Sequence, residues 1–259
     1  MPSALDDRPV PGTSDREAPA AVNAVDSATV RQFIHQMRSH LTAIGPAAEF
    51  IADPAGGDEV REEMLEIVRQ AVARIEGLLA DLSIVAVPER VYLGSVASVV
   101  SLEEVARAAV SGQMQYAQTL GAWLVVDADA CPPVLGHDVA LRQAAGNAVA
   151  LVLRLARTGD RVQVRVRPAM DGMRPGIELS VELQPTGGGE RGSRPPDFEG
   201  VALSAARIIA EQHGGALTIA TERPALVMHL PAAPLNLGTA AVGAAGAGLL
   251  AQSSRAVSG

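Results

Sequence analysis

The chain has 259 residues, of which 48% are apolar and only 2% aromatic, so aliphatic side chains must fill its core. Its formal net charge of −8 argues against nucleic-acid binding, which needs clustered Lys and Arg. A single cysteine, Cys131, excludes an intramolecular disulfide framework and fits a reducing cytosol. We therefore expect a globular, cytoplasmic protein.

The first predicted element is a disordered tail, residues 1–26, which is rich in Pro, Ala and Asp and has no apolar signal core. A long amphipathic helix follows over residues 30–51, where the apolar positions alternate steps of four and three residues without a miss. Such a seam is typical of a helix that packs lengthwise against another helix. The seam consists of Val30, Ile34, Met37, Leu41, Ile44, Ala48 and Ile51.

A second helix is predicted after a break at residues 53–58, which contains Pro54 and two glycines and offers an N-cap. This helix ends near Pro88, and its apolar positions have helical spacing with one irregular step. A hairpin of two such helices cannot bury its seam alone, so we expect residues 27–88 to form a four-helix bundle in a homodimer. The apolar positions are Val60, Met64, Ile67, Ala71, Ile75, Leu78, Leu82 and Val85.

The following segment, residues 95–231, predicts a two-layer α/β sandwich with strands of the antiparallel type, so the fold class is α+β. Residues 232–259 are predicted to be a flexible Ala/Gly-rich tail and not a membrane span, because Gly and Ala contribute little transfer free energy. The helices are expected at 102–120, 137–156 and 200–213, and the strands at 122–127, 161–167, 176–184, 216–220 and 225–230.

His35 is the candidate phosphoacceptor. It lies one position past the seam residue Ile34, so we expect it on the outer flank of the bundle. A neutral imidazole nitrogen is a nucleophile near neutral pH and can carry a phosphoryl group. Spacing alone favours a solvated surface histidine, whereas the surrounding sequence favours a phosphoacceptor.

Residues 33–44, FIHQMRSHLTAI, resemble the phosphoacceptor box of sensor histidine kinases. The family pattern is a histidine, an acidic residue, two variable positions, Thr or Asn, Pro, and then an apolar run with Thr. The resemblance continues in the family's order through LLADLS at 78–83, VLGHDVALRQ at 134–143 and EQHGG at 211–215. Four boxes in order, across residues 27–231, are far more specific than one.

Two residues depart from the family pattern inside the first box. Gln36 stands at the acidic position and His40 at the proline. In the family the acidic side chain is thought to take the imidazole proton during attack on ATP, and Gln has no carboxylate for that role. Ser39 offers a hydroxyl where the family has Thr or Asn, so it could position water or the phosphoryl group. We interpret His40 as a solvated surface side chain.

The nucleotide site that the resemblance implies is also altered. Asn147 remains, but Leu151 stands at the magnesium ligand, Pro185 at the adenine-binding aspartate and Ala202 at a glycine. Losing an adenine partner and a metal ligand together predicts no useful ATP affinity. We interpret Asn147 and the glycines at 187–189 as relict fold structure, a helix surface and a flexible loop.

This pattern of loss resembles the kinase-derived histidine phosphotransferases, dimeric intermediates of bacterial phosphorelays. The resemblance implies that a response-regulator receiver domain, charged by an upstream hybrid histidine kinase, passes its phosphoryl group to His35 and that a second receiver accepts it. The receiver would hold the Mg²⁺, so the chain is expected to bind no metal and no cofactor. His35 and Ser39 are the catalytic candidates, and Arg38 and Gln36 the partner-binding ones.

Two other functions stay open. A divergent histidine kinase would still autophosphorylate His35 from ATP through non-standard contacts. A dimeric adaptor would use the kinase-like fold without any chemistry, and His35 would be passive.

Overall fold

The computed structural model describes residues 27–53, 57–92, 96–171, 174–186, 198, 200–220 and 223–234. The predicted tail at 1–26, the part of the predicted C-terminal tail beyond residue 234, and the glycines at 187–189 lie outside these residues. A helical hairpin is followed by a two-layer α/β sandwich, which confirms the predicted α+β class. No described helix is long and apolar enough to cross a membrane.

The hairpin consists of α1 (Ser27–Ala52) and α2 (Asp58–Ala86), within the predicted limits of 27–88. The predicted break contains the N-cap residue of α2, Gly57, whose backbone angles are extended. This end of α2 therefore has no side-chain cap hydrogen bond. Asp58 lies in the first turn of α2, where a negative charge interacts favourably with the helix dipole. A short 3₁₀ helix, Pro88–Tyr92, leads from α2 to the sandwich.

The predicted seam of α1 divides into two rows because a single helix meets two different environments. Met37, Ile44 and Ile51 are half-buried within the folded chain. The alternate seam residues Ile34 and Leu41, which precede Met37 and Ile44 by three residues, are 48% and 54% exposed. On α2 an equivalent row is exposed at heptad spacing. These exposed heptad rows comprise Ile34, Leu41 and Ala48 on α1 and Leu65, Val72 and Leu79 on α2.

The main sheet has five strands in the order β2-β4-β5-β7-β6, and its bounds are close to those predicted. Three of the four pairings are antiparallel, but β2 and β4 are parallel, so the expectation of antiparallel strands alone is wrong. The parallel pair arises because the chain crosses over through α4 between these strands. The strands are β2 (Trp123–Ala128), β4 (Arg161–Asp171), β5 (Arg174–Gln184), β6 (Ala216–Ala220) and β7 (Ala225–Pro231).

A second, two-stranded sheet pairs β1 (Ser98–Val100) with β3 (Val134–Gly136), and the sequence did not predict it. Three residues are too few to show an alternating pattern. In chain order β1 follows the 3₁₀ helix, and β3 precedes α4.

The helices α3 (Leu102–Leu120), α4 (Asp138–Leu153) and α5 (Val201–Gln212) cover one face of the main sheet. Every second residue of β4 faces these helices, and Val162, Val164 and Val166 are fully buried there. On the opposite face Arg165 pairs with Glu182 at 2.8 Å. Helices α2 and α5 also contact each other, so the hairpin lies against the helical layer of the sandwich.

Candidate functional site

The predicted phosphoacceptor His35 is exposed on α1. Arg38 and Ser39 are also exposed and follow it by three and four residues, so the three side chains share one face of the helix. Within the part of the chain that the structure describes, no hydrogen bond or ion pair involves the His35 imidazole. The ring is therefore open to a reactant that approaches from solvent.

Gln36, the second predicted partner-binding residue, points away from this face. Its side chain is half-buried, and its Oε1 atom is hidden from solvent without a hydrogen-bond partner among the described residues. A protein that approaches His35 would therefore contact Arg38 more readily than the Gln36 carbonyl oxygen.

His40 is half-buried, so its interpretation as a solvated surface side chain is wrong. Burial lowers its pKa below the usual value, and the positive charges of Arg74 on α2 and Arg154 after α4 lower it further. The Arg74 guanidinium lies over the Tyr116 ring at 5.1 Å from its centroid, a cation–π contact between α2 and α3. His40 thus lies where the hairpin meets the sandwich, and not on the exposed face that carries His35.

The positions that a kinase would use for ATP have other roles in this fold. Leu151 is 5% exposed and packs in the core of the sandwich, where its side chain offers no oxygen to a metal ion. Pro185 is exposed just after β5. Asn147 donates its amide to the Asp81 carboxylate at 2.7 Å and more weakly to the Ala202 carbonyl at 3.3 Å. The donor group of Asn147 is therefore occupied within the chain.

A polar cluster around Asp81 was not predicted. Asp81 is 3% exposed, and its Oδ1 accepts hydrogen bonds from Gln143 and from Asn147, each at 2.7 Å. Burial raises the pKa of the Asp81 carboxyl, whereas the two amide donors act in the opposite direction. The available sequence signal was a charged residue inside an apolar run, LLADLSIV at 78–85.

His213 connects the end of α5 to the start of α4. Its Nδ1 lies 2.6 Å from the Ile209 carbonyl oxygen, which can only accept, so Nδ1 carries the proton. Its Nε2 then accepts from the His137 backbone N–H at 3.0 Å. Burial lowers the pKa of His213, and the nearby His137 lowers it further, although the bond to Ile209 opposes this shift. His213 is also the C-cap residue of α5.

A cavity of about 360 Å³ lies at the far end of β4, β5 and β7. Arg174, Gly214 and His229 are among its lining residues, and none of the predicted site residues reaches it. Among the described residues, no group of three or more His, Cys, Asp or Glu side chains is placed to hold a metal ion.

Comparison with known proteins finds similar solved structures, but no protein-family profile and no curated protein matches the sequence. The Acinetobacter baumannii histidine kinase AdeS is 14% identical, with a TM-score of 0.48 over 79% of this chain and 98% of that one. The histidine kinase ThkA in complex with the response regulator TrrA is 15% identical, with a TM-score of 0.49 over 81% of this chain and 63% of that one. A mycobacterial sensor histidine kinase, MprB, is 23% identical, with a TM-score of 0.40 over 54% of this chain and all of that one, 100%.

Proposed function

We propose that the protein is a histidine phosphotransferase of a bacterial two-component phosphorelay and that it carries the phosphoryl group on His35. The observation that supports this most directly is the exposed imidazole of His35 within the phosphoacceptor-like box, which makes no hydrogen bond or ion pair with any described residue. In the same chain the metal-ligand position of a kinase is a buried core residue, Leu151. A donor other than ATP therefore fits the chain better.

The chemistry would be two in-line transfers. A lone pair on an imidazole nitrogen of His35 attacks the phosphorus of a receiver phospho-aspartate, the P–O bond to the aspartate breaks, and the carboxylate leaves. A carboxylate of the second receiver then attacks the phosphohistidine, and the imidazole leaves. Mg²⁺ held by the receiver would supply charge neutralisation for the phosphoryl oxygens, so this chain mainly contributes position.

Arg38 and Ser39 would assist from the next turn of α1. The exposed guanidinium of Arg38 provides charge-assisted hydrogen bonds to an acidic receiver surface or to the phosphoryl group. The Ser39 hydroxyl can donate to a phosphoryl oxygen or hold a water beside it. We expect Arg38 to affect binding of the receiver and Ser39 to affect the rate of transfer.

A homodimer is part of this proposal, because the exposed heptad rows need a partner surface. Helices α1 and α2 contact each other on either side of the break. In an antiparallel hairpin, residues equally far from the break in sequence are expected at about the same level, which pairs Ile34 with Leu79, Leu41 with Val72 and Ala48 with Leu65. Three apolar layers at heptad spacing are typical of a helix-bundle interface. A second hairpin would cover both rows at once.

The test is a pair of labelling reactions on the purified chain. It is incubated first with radiolabelled ATP and Mg²⁺, and then with receiver domains phosphorylated by radiolabelled acetyl phosphate. We expect acid-labile label only from a receiver, its loss in His35→Ala, and its retention in His229→Ala, a control histidine that is 41% exposed. Labelling by ATP would instead indicate the divergent kinase, and labelling by neither donor would indicate the adaptor.

A further inference from the structure

We propose that Asp81, Gln143 and Asn147 form a latch that locks the helical hairpin onto the sandwich, so that a receiver docking at His35 meets both parts in one fixed arrangement. The latch goes beyond the phosphotransfer chemistry, and its docking role rests on the proposed function. It also gives Asn147 a role in place of the relict helix surface that the sequence suggested.

The geometry of the latch joins three helices through two side-chain amides. Gln143 and Asn147 are four residues apart, so both project from the same face of α4 toward α2. They donate to the same oxygen, Asp81 Oδ1, across 62 and 66 residues of sequence. The longer bond from Asn147 to the Ala202 carbonyl adds α5 to the connection.

The burial of Asp81 makes this contact selective for one arrangement. A carboxylate that is 3% exposed is costly unless donors satisfy it, and hydrogen bonds to a charged acceptor are stronger than neutral ones. Docking of α2 in another register would bury the charge without the two amides. The pair of donors therefore defines where α2 lies along α4.

A second contact prevents α2 from pivoting about this point. The cation–π pair of Arg74 and Tyr116 lies two helical turns before Asp81 and connects α2 to α3. At the start of α1, the Gln32 side chain lies against Gly200, so closely that a Cβ atom there would come within 2.8 Å of Oε1. Attachment at separate points along the hairpin fixes its orientation.

The structural half of the proposal can be tested without a partner. Spin labels are placed on the hairpin and on the sheet of the full chain (Glu62→Cys and Thr218→Cys, with Cys131→Ser), and doped into unlabelled protein so that one labelled chain is seen per dimer. We expect a narrow distance distribution in this background and with Asp81→Asn, whose carboxamide oxygen still accepts both bonds. Asp81→Ala should give a broad or bimodal distribution, whereas Glu76→Ala, which removes an exposed carboxylate from the same helix, should not.

Asn147→Leu guards against a folding defect in Asp81→Ala, because it removes the shared donor and keeps the number and branching of the side-chain heavy atoms. It should also broaden the distribution. If both variants keep the narrow distribution of Glu76→Ala, the latch does not hold the two parts together and the proposal is overturned.

The functional half uses phosphotransfer from a labelled receiver. Asp81→Ala should raise the receiver concentration needed for half-maximal transfer by at least about tenfold, with a smaller effect on the maximal rate, because docking geometry is lost while His35 is intact. Asp81→Asn should restore the wild-type value. An unchanged concentration dependence in Asp81→Ala would overturn the docking role. Failure of every receiver to label the wild type would instead contradict the proposed function, and the spin-label distances would still decide the latch.

Discussion

Among single residues, His213 shows how one neutral ring can join two helices. Its protonated Nδ1 donates to Ile209 and its bare Nε2 accepts from the His137 backbone. A second proton would place an N–H against an N–H, and the bond between α5 and α4 would be lost. Burial and the nearby His137 lower the pKa of His213 and so favour the neutral ring, although the bond to Ile209 acts in the opposite direction.

This arrangement predicts a loss of stability in mild acid. The folded pKa of His213 lies below the unfolded value of about 6.5. Its contribution is therefore complete above about pH 6.5 and is lost as the pH falls through the folded pKa. We expect His213→Leu to lower the stability at pH 7.5 by about 1–3 kcal/mol and to flatten the pH dependence below pH 6.5, as measured by thermal unfolding.

His40 contributes to the same pH range with the same sign, because its pKa is also lowered. His40→Leu should therefore flatten the curve in part. An acid limb of equal size in wild type and in His213→Leu would contradict this account of His213.

His35→Ala tests the separation of chemistry from stability. The side chain is exposed and makes no intramolecular bond among the described residues, so its removal should change the free energy of unfolding by no more than about 0.5 kcal/mol. Phosphoryl labelling should nevertheless disappear. Thermal unfolding and labelling of the same preparation measure both, and a strongly destabilised variant would mean that the ring has a structural role.

Sequence reasoning selected His35 as a candidate and predicted its exposure, but it missed Asp81 for a physical reason. The neighbours of His35 on its exposed face, Arg38 and Ser39, come from the same helix, so local periodicity was sufficient to predict that face. The partners of Asp81 are 62 and 66 residues away on another helix, and no local pattern carries that information. Only the charge inside an apolar run marked the position.

At the scale of elements, periodicity predicted where helices form but not what each face meets. The seam of α1 was correct as a pattern, yet Met37 faces the interior of the chain while Leu41 faces solvent. Alternating steps of four and three residues identify an apolar stripe along a helix. They do not tell which residues of the stripe pack within the chain and which pack against another chain. The short strands β1 and β3 were missed because pairing between distant segments creates them.

Helix α4 carries the prediction on nucleotide binding. We expect no micromolar affinity for ATP with Mg²⁺ in titration calorimetry, because Leu151 is part of the core. Replacing it with Asn should not restore a metal site. It would bury an amide among apolar side chains and lower the stability by about 2 kcal/mol or more.

The matched variant is Pro185→Asp, at an exposed position, which should have little effect on stability. A rise in melting temperature on addition of ATP and Mg²⁺ to the wild type would contradict the prediction and support the kinase alternative.

At the scale of the whole molecule, the order of hairpin and sandwich could be predicted, but the arrangement of the two could not. To predict that β2 and β4 pair in parallel, one would have had to recognise β2, α4 and β4 as a single crossover unit. That unit also contains β3, a strand of the unpredicted ribbon. The contact of α2 with α5 depends on how the completed layers fit together. Local pattern therefore predicted the hairpin and the sandwich, and long-range packing determined the Asp81 cluster at their junction.

The dimer is the last prediction and follows from the exposed heptad rows. Leu41→Glu with Val72→Glu places charge in two layers of the expected interface, at side chains that are 54% and 42% exposed in the single chain. We expect dissociation to a folded monomer in light scattering, because burying these carboxylates without partners would cost several kcal/mol.

Met37→Glu would also damage the hairpin itself, since Met37 is half-buried within one chain. The control is Val99→Glu. Val99 is an apolar residue outside the hairpin and is 59% exposed, so this change should leave the dimer intact. A monomeric wild type would leave both exposed rows without a partner and would contradict the four-helix bundle.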